Sequence, residues 1–272
     1  MASPTEITPT QLARLVGTPH APVLIDVRIQ ADFDADPYLI PGAVRHRFDD
    51  MDLCSETLRG QSAVVYCQKG LKLSQGAAAL LRIKGIRAET LEGGHVAWRT
   101  AGLPIVDTAK LPMAAETGHT LWVTRHRPKI DRIACPWLIR RFVDPQAQFL
   151  FVSPGQVLNV ADKFAATAFD VENVFWSHRG DTCTFDTMIM EFGIGHEALD
   201  RLATIVRGAD TNRDDLAPES AGLLAASLGL SRMYRDDLEQ MEAGFLLYDA
   251  LYRWARDATD ETHGWPSAVG VS

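Results

Sequence analysis

One stretch predicts the fold of the first hundred residues: Ser62-Ala-Val-Val-Tyr-Cys67-Gln-Lys-Gly-Leu-Lys72. It begins as a nearly continuous apolar run, which is typical of a strand buried on both faces of a parallel sheet. The glycine turn after Cys67 leads into an Ala/Leu-rich helix, predicted over residues 74–83. Similar apolar runs at residues 23–27 and 88–91 alternate with helical patterns. This alternation predicts an α/β domain with a parallel sheet flanked by helices.

Cys67 is the candidate catalytic residue because it follows a predicted strand at its carboxyl end, where ligands bind in open α/β sheets. Backbone N–H groups of the following turn and the N-terminus of the next helix favour an anion. We therefore expect a depressed pKa for Cys67, and an anionic substrate or a persulfide in the loop. The structural alternative is an inert cysteine that ends a core strand. The predicted substrate-binding loop comprises Gln68, Lys69, Gly70, Leu71 and Lys72, whose two lysines add positive charge.

Residues 1–107 resemble a rhodanese domain. The resemblance rests, in order, on Leu24-Ile-Asp-Val-Arg28, Ile40-Pro-Gly-Ala-Val44, Val64-Val-Tyr-Cys-Gln-Lys-Gly70, Leu91-Glu-Gly-Gly94, Trp98 and Gly102-Leu-Pro104. It implies a sulfurtransferase in which Cys67 carries a persulfide, formed from a sulfane-sulfur donor such as thiosulfate and passed to a thiol or to cyanide. In this family a six-residue loop, here Cys67 to Lys72, accompanies sulfur transfer rather than phosphate hydrolysis. The resemblance implies no cofactor for that reaction.

Three further residues of this half are candidates for supporting roles. Asp26 and Arg28 flank the end of a predicted strand, and we expect a structural ion pair between them rather than a part in catalysis. Cys54 is a candidate resolving thiol for an oxidised Cys67, with a chemically inert cysteine as the alternative.

Composition and charge restrict the class of protein. The chain has 272 residues, which suggests two domains, and a formal net charge of −8. That charge argues against nucleic acid as a partner, and no apolar run is long enough to predict a membrane span. The four cysteines lack a Cys-x-x-Cys pair and are too few for a disulfide framework. We therefore expect a reducing compartment, the cytoplasm. The resemblance to rhodanese domains implies a small sulfur-donor anion and a thiol acceptor or partner protein.

The pattern breaks down over residues 108–118, which we interpret as a linker between the first domain and a second domain at residues 119–272. The second domain is predicted to be mostly helical with a small β element at residues 148–153. A basic cluster, residues 125–132, precedes its first helix. This cluster could bind an oxyanion, a phosphate group or the acidic face of the other domain, or pair with carboxylates of its own domain.

The loop at residues 170–183 and the helix after it hold mixed metal-ligand types. His178, Cys183 and Glu191 could converge on one cation, with Asp210 from a later helix. Such a set of nitrogen, oxygen and sulfur ligands would suit zinc or iron. The spacing matches no compact metal motif, and a structural histidine bonded to a loop carbonyl is the alternative.

Residues 119–258 resemble the chromate-resistance domain at the C-terminal end of ChrB-type proteins. The resemblance rests on the runs at residues 129–144, 177–185 and 245–252. It implies a link to chromate tolerance and no defined reaction.

Three functions follow from the sequence. The first is a sulfurtransferase fused to a helical domain. The second is a non-enzymatic protein that senses sulfur or chromate, and the third is metal-dependent redox chemistry in the second domain.

Overall fold

The computed structural model describes residues 5–113 and 119–261. The predicted linker is described only as far as residue 113, and it contains a 3-10 turn at Thr108–Lys110. Residues 114–118 and the end of the chain after residue 261 lie outside the described residues. In the described ranges, no helix combines the length and the apolar character that a membrane span needs.

The N-terminal half is built on a five-stranded parallel sheet in the order β1-β6-β5-β2-β4, which confirms the predicted α/β class. A separate antiparallel pair, β3 and β7, lies beside it. The strands of this half are β1 (Glu6–Ile7), β2 (Val23–Asp26), β3 (Tyr38–Leu39), β4 (Ala43–Arg45), β5 (Ser62–Tyr66), β6 (Arg87–Leu91) and β7 (Val106–Asp107). Its helices are α1 (Pro9–Ala13), α2 (Gln30–Ala35), α3 (Met51–Thr57), α4 (Lys72–Ile83) and α5 (Gly94–Thr100).

Alternation along β5 divides its side chains between two apolar cores. Val64 and Tyr66 point into a core that also contains Leu12 of α1 and Trp98 of α5. Ala63 and Val65, with Cys67 just beyond the strand, point to the other face, which α3 and α4 cover. Side chains on a strand alternate with a period of two, so the continuous apolar run of β5 places apolar side chains in both cores.

The C-terminal half is mostly helical, as predicted, with a three-stranded parallel sheet in the order β10-β8-β9. Its strands are β8 (Leu121–Arg125), β9 (Gln148–Val152) and β10 (Thr167–Ala168). Its helices are α6 (Asp131–Leu138), α7 (Val157–Phe164), α8 (Thr184–Phe192), α9 (Glu197–Asp210), α10 (Glu219–Met233) and α11 (Asp237–Asp257). A π-helical turn, Ile139–Val143, continues α6, and Pro136 lies inside this helix.

The two halves share one apolar core. Helices α1 and α5 cover one face of the first sheet, and the apolar core between them continues into α6, α8, α9 and α11. Phe142 lies at this junction, and its carbonyl oxygen accepts a hydrogen bond of 2.7 Å from the N–H of Gly42 in the first half. Lys110 also pairs with Glu191 of α8 at 3.3 Å. The first half therefore packs against the second through buried side chains as well as surface charges.

Candidate functional site

Cys67 lies directly after β5, at the carboxyl edge of the parallel sheet, and its side chain is buried. Helix α4 begins at Lys72, two residues earlier than the sequence pattern indicated, so Ser74 falls in its first turn. The Ser74 Oγ atom lies 3.3 Å from the sulfur of Cys67. The sulfur therefore faces the positive N-terminal end of a twelve-residue helix.

Hydrogen bonds to the sulfur decide the ionisation of Cys67. Burial on its own raises the pKa of the thiol, but the Ser74 hydroxyl and the backbone N–H groups of Ser74, Leu71 and Lys69 outweigh it. The pKa of Cys67 is therefore lowered, as the sequence pattern indicated. These donors lower the pKa of Cys67 more than the charges of the two loop lysines do. A thiolate held by such donors is a competent nucleophile.

Gly94, which lies behind the loop, allows the loop its shape. Gly94 has φ of +60°, and a side-chain carbon at this position would overlap the carbonyl oxygen of Cys67. Helix α5 starts here, and its first N–H groups bind the loop: His95 donates to Cys67 O, and Val96 to Gln68 O, both at 3.0 Å. The carbonyls of the loop are thereby turned to α5. This leaves the N–H groups of the loop free to face the sulfur.

The outer surface of the loop is open and basic. Lys69, Leu71 and Lys72 are exposed, whereas Gly70 is buried against the carbonyl oxygen of Leu91. Gln68 is half-buried, and its Oε1 atom has no hydrogen-bond partner within the described residues. The predicted loop residues thus surround one buried sulfur, with two exposed cations at the entrance.

Asp26 and Arg28 form the ion pair expected from the sequence. Both side chains are fully buried, and Arg28 Nη2 lies 2.6 Å from Asp26 Oδ2. Arg28 also donates to the carbonyl oxygens of Asp36 and Tyr38 at 3.0 and 2.7 Å. The arginine therefore ties the end of β2 to the chain that enters β3, which is a structural role.

Cys54 lies on α3, buried in the same apolar core as Cys67. Burial, with a smaller contribution from Asp50, raises the pKa of Cys54 to about 11. At neutral pH this residue is a thiol, the form that attacks a persulfide or a disulfide slowly. A role as resolving thiol stays a prediction.

A second cluster of ionisable groups lies in the C-terminal half, around His178. The Nε2 atom of His178 is 3.4 Å from Asp131 Oδ2, 3.3 Å from Asp170 Oδ1 and 3.2 Å from Asp210 Oδ2. Hydrogen bonds to these three carboxylates, that of Asp131 first, raise the pKa of His178 to about 12. Burial raises the pKa of Asp131 to about 7. Asp131, Asp170 and His178 each offer one ligand atom within 4.8 Å of the others, a geometry that could hold a metal ion.

The N-terminus of α8 orients two of these carboxylates. Thr184 donates its backbone N–H to Asp131 Oδ2 at 2.6 Å and its hydroxyl to Asp170 Oδ1 at 2.9 Å. Arg125 and Arg132 lie 3.1 and 3.2 Å from the other oxygen of Asp170. These two arginines of the predicted basic cluster therefore pair with a carboxylate of their own half, the last of the alternatives left open above.

The cluster corrects the metal-ligand set predicted from the sequence. His178 and Asp210 come together as expected, but Glu191 binds Arg179 and Lys110 instead. Cys183 is buried at the N-cap of α8, where its backbone N–H donates to the Asp186 carboxylate. Burial raises the pKa of the Cys183 thiol far above its usual value, so a thiolate ligand is disfavoured there. Asp131 and Asp170, rather than Cys183 and Glu191, are the residues that lie beside His178 and Asp210.

Comparison with protein families divides the chain into two parts. The family model described as the ChrB C-terminal domain matches residues 122–255, and the rhodanese-like domain model matches residues 8–101. The chain joins a rhodanese-like domain to a ChrB C-terminal domain. The Cys67 loop belongs to the rhodanese-like domain. The cluster around His178 belongs entirely to the ChrB C-terminal domain.

Individual relatives match one domain each. The Protein ChrB of Cupriavidus metallidurans is 35% identical over 48% of this chain, and the match spans 39% of that relative's length. A sulfurtransferase of Allochromatium vinosum is 29% identical over 37% of this chain and 94% of its own. The crystal structure of a rhodanese-related protein from Thermoplasma volcanium covers 37% of this chain and 96% of its own, with 22% identity and a TM-score of 0.33.

Sequence reasoning missed the residues that act through tertiary contacts. Ser74 was assigned only as the start of a helix, although a serine in the first turn after a strand-end cysteine is a signal for a thiolate partner. Asp131 was not among the ligands predicted from the sequence. Asp170 lies 39 residues further along the chain, and no local pattern connects the two carboxylates.

Proposed function

We propose that the rhodanese-like domain transfers sulfane sulfur through a persulfide on Cys67. The single observation that carries this proposal is the lowered pKa of a strand-end cysteine whose sulfur accepts hydrogen bonds from Ser74 and from three backbone N–H groups. The same donors that stabilise a thiolate also stabilise the outer sulfur of a persulfide, which carries the negative charge in the intermediate. The name of the sulfurtransferase relative supports the same class of reaction.

The reaction proceeds in two displacements. The Cys67 thiolate attacks the sulfane sulfur of a donor such as thiosulfate. A sulfur–sulfur bond forms, the bond between that sulfur and the sulfonate breaks, and sulfite leaves with the electron pair. An acceptor thiolate or cyanide then attacks the outer sulfur of the persulfide and takes it away. The Cys67 thiolate is regenerated with its electron pair, and the domain needs no cofactor in either step.

The charges at the loop entrance fit an anionic donor. Lys69 and Lys72 are exposed on either side of the turn, although the whole chain carries a net charge of −8. Local positive charge in a negative protein concentrates small anions at that point and leaves the remaining surface unattractive to polyanions. We infer a small sulfur-donor anion as substrate and a low-molecular-weight thiol or a partner protein as acceptor.

The ChrB C-terminal domain supports a role of this chemistry in chromate stress. Chromate is an oxyanion that oxidises cellular thiols, so a pathway that handles it draws on the same reducing environment that a persulfide requires. We therefore propose that the chain acts in the cytoplasm and that its sulfur transfer serves chromate resistance.

The test of the proposal is the formation of thiocyanate from thiosulfate and cyanide. We expect the wild-type chain to turn over and Cys67→Ser to fall to the rate of buffer alone, with an unchanged circular dichroism spectrum. Cys54→Ser is the matched control, since it removes a buried cysteine of the same core and should keep most of the activity. Equal rates for wild type and Cys67→Ser would contradict the assignment. A wild type inactive with both thiosulfate and polysulfide would favour a binding or sensing role.

A further inference from the structure

More carboxylate oxygens face His178 than one imidazole N–H can donate to. Three carboxylate oxygens lie 3.2–3.4 Å from the single Nε2 atom of His178, which carries at most one hydrogen. Charge-assisted hydrogen bonds are shorter, about 2.7–2.9 Å. Other ion pairs of this chain reach that range, for example Arg141 with Asp249 at 2.8 Å. Each of the three contacts is therefore longer than a typical charge-assisted hydrogen bond.

Asp131 supplies an independent observation. Its side chain is fully buried, and its Oδ1 atom has no hydrogen-bond partner among the described residues. Its Oδ2 atom faces His178 and accepts the N–H of Thr184. A buried carboxylate oxygen without a partner costs stability. The fold nevertheless places this carboxylate in the cluster, on a residue that follows Ile130, whose φ of +43° is strained for a β-branched side chain.

The separations fit donors arranged around one cation. Two ligands of a tetrahedral ion lie about 1.6 bond lengths apart, so the 3.2–3.4 Å contacts of His178 correspond to bonds of about 2.0–2.1 Å, the range of Zn–N and Zn–O distances. Carboxylate and imidazole ligands together suit borderline divalent ions of the first transition row. The outer contacts from Thr184, Arg125 and Arg132 fix the carboxylates in the way that partners around metal ligands do.

We propose that Asp131, Asp170 and His178 of the ChrB C-terminal domain bind one divalent transition-metal cation, with Asp210 as a fourth donor. The site has only nitrogen and oxygen ligands. Cys183 and Glu191 take no part in it. It lies outside the rhodanese-like domain and does not depend on the Cys67 chemistry.

The experiment measures binding of Zn²⁺ and of Mn²⁺ to the full chain, after EDTA treatment and desalting, by isothermal titration calorimetry. We expect one equivalent per chain. His178→Ala and Asp170→Asn should each weaken the affinity at least about tenfold. Glu191→Gln is the matched control, because it changes a carboxylate of the neighbouring helix that already pairs with Arg179, and its affinity should equal that of the wild type. His178 is 40% exposed, so its replacement is compatible with folding, which a thermal melting curve checks.

Co²⁺ used in place of Zn²⁺ reports the ligand types directly. The expected absorption shows weak d–d bands and no intense thiolate-to-cobalt charge-transfer band in the near ultraviolet. A thiolate band that disappears in Cys183→Ser would overturn the ligand assignment. The proposal as a whole would be overturned if the folded wild type bound neither metal, or if His178→Ala bound as tightly as the wild type.

Discussion

Replacing Ser74 by alanine should raise the pKa of the Cys67 thiol by about one unit. The hydroxyl of Ser74 has one proton and two neighbours: the Cys67 sulfur at 3.3 Å and the carbonyl oxygen of Leu71 at 3.1 Å. While Cys67 is a thiol, the hydroxyl donates to Leu71. When Cys67 ionises, the proton turns to the sulfur and stabilises the thiolate.

The magnitude follows from the exchange of these two bonds. A hydrogen bond to a charged group contributes about 1.5–3 kcal/mol, and the neutral bond to Leu71 that is given up contributes about 1 kcal/mol. The difference is roughly 0.5–2 kcal/mol, and one pKa unit corresponds to about 1.4 kcal/mol. The backbone N–H groups of Leu71, Lys69 and residue 74 remain in place, so we expect a shift of about one unit rather than full loss of the thiolate.

The assay is the rate of alkylation of Cys67 by iodoacetamide as a function of pH, read by mass spectrometry of the peptide that contains it. A lowered thiol pKa keeps the reactive thiolate populated as the pH falls, so the wild-type profile should reach its plateau at a lower pH than that of Ser74→Ala. Ser74→Thr keeps a hydroxyl at the same place and should resemble the wild type. Ser55→Ala removes a serine hydroxyl from α3 and controls for general effects. An unchanged or lower pKa in Ser74→Ala would refute the role given to this hydrogen bond.

Three further substitutions, with one control variant, test the supporting structure, each by urea denaturation. Gly94→Ala should lower the free energy of unfolding by at least about 2 kcal/mol and lower the reactivity of Cys67, because its Cβ would overlap the carbonyl oxygen of Cys67. Gly102→Ala is its control: the backbone there also has a positive φ, +65°, but the space around it is open, so the loss should be only about 1 kcal/mol. Phe142→Ala should cost about 3–5 kcal/mol, since it removes a buried ring at the junction of the two domains. Asp26→Asn should cost about 3–5 kcal/mol, because its arginine partner would stay buried without an opposite charge. For Gly94→Ala, Phe142→Ala or Asp26→Asn, a free energy of unfolding within 0.5 kcal/mol of the wild-type value would contradict the reason given for that variant.

The sequence predicts the central part of the rhodanese-like domain because its signals there are local. A continuous apolar run, a glycine turn and an Ala/Leu-rich helix follow one another at residues 62–83, and each has one dominant structural meaning. The observed β5 and α4 differ from the prediction by one or two residues at their ends. Strand β8 was missed; it begins three residues after the segment interpreted as a linker.

The residues that surround His178 were harder to predict from the sequence, for a physical reason. His178, Cys183 and Glu191 are close in sequence, and the prediction assumed that closeness in sequence brings their ligand atoms together. In the fold, Glu191 turns toward Arg179, and the partners of His178 come from three separate segments that meet only through packing of α6, α8 and α9. Asp131 and Asp170 could have been found only from a pattern that spans tens of residues.

Intact mass spectrometry tests the central claim most directly. The chain is reduced, desalted, incubated with thiosulfate and measured beside Cys67→Ser treated in the same way. We expect the wild type to gain the mass of one sulfur atom, cyanide to remove it, and Cys67→Ser to gain nothing. No added sulfur on the wild type, or the same addition on Cys67→Ser, would contradict the claim that Cys67 carries a persulfide.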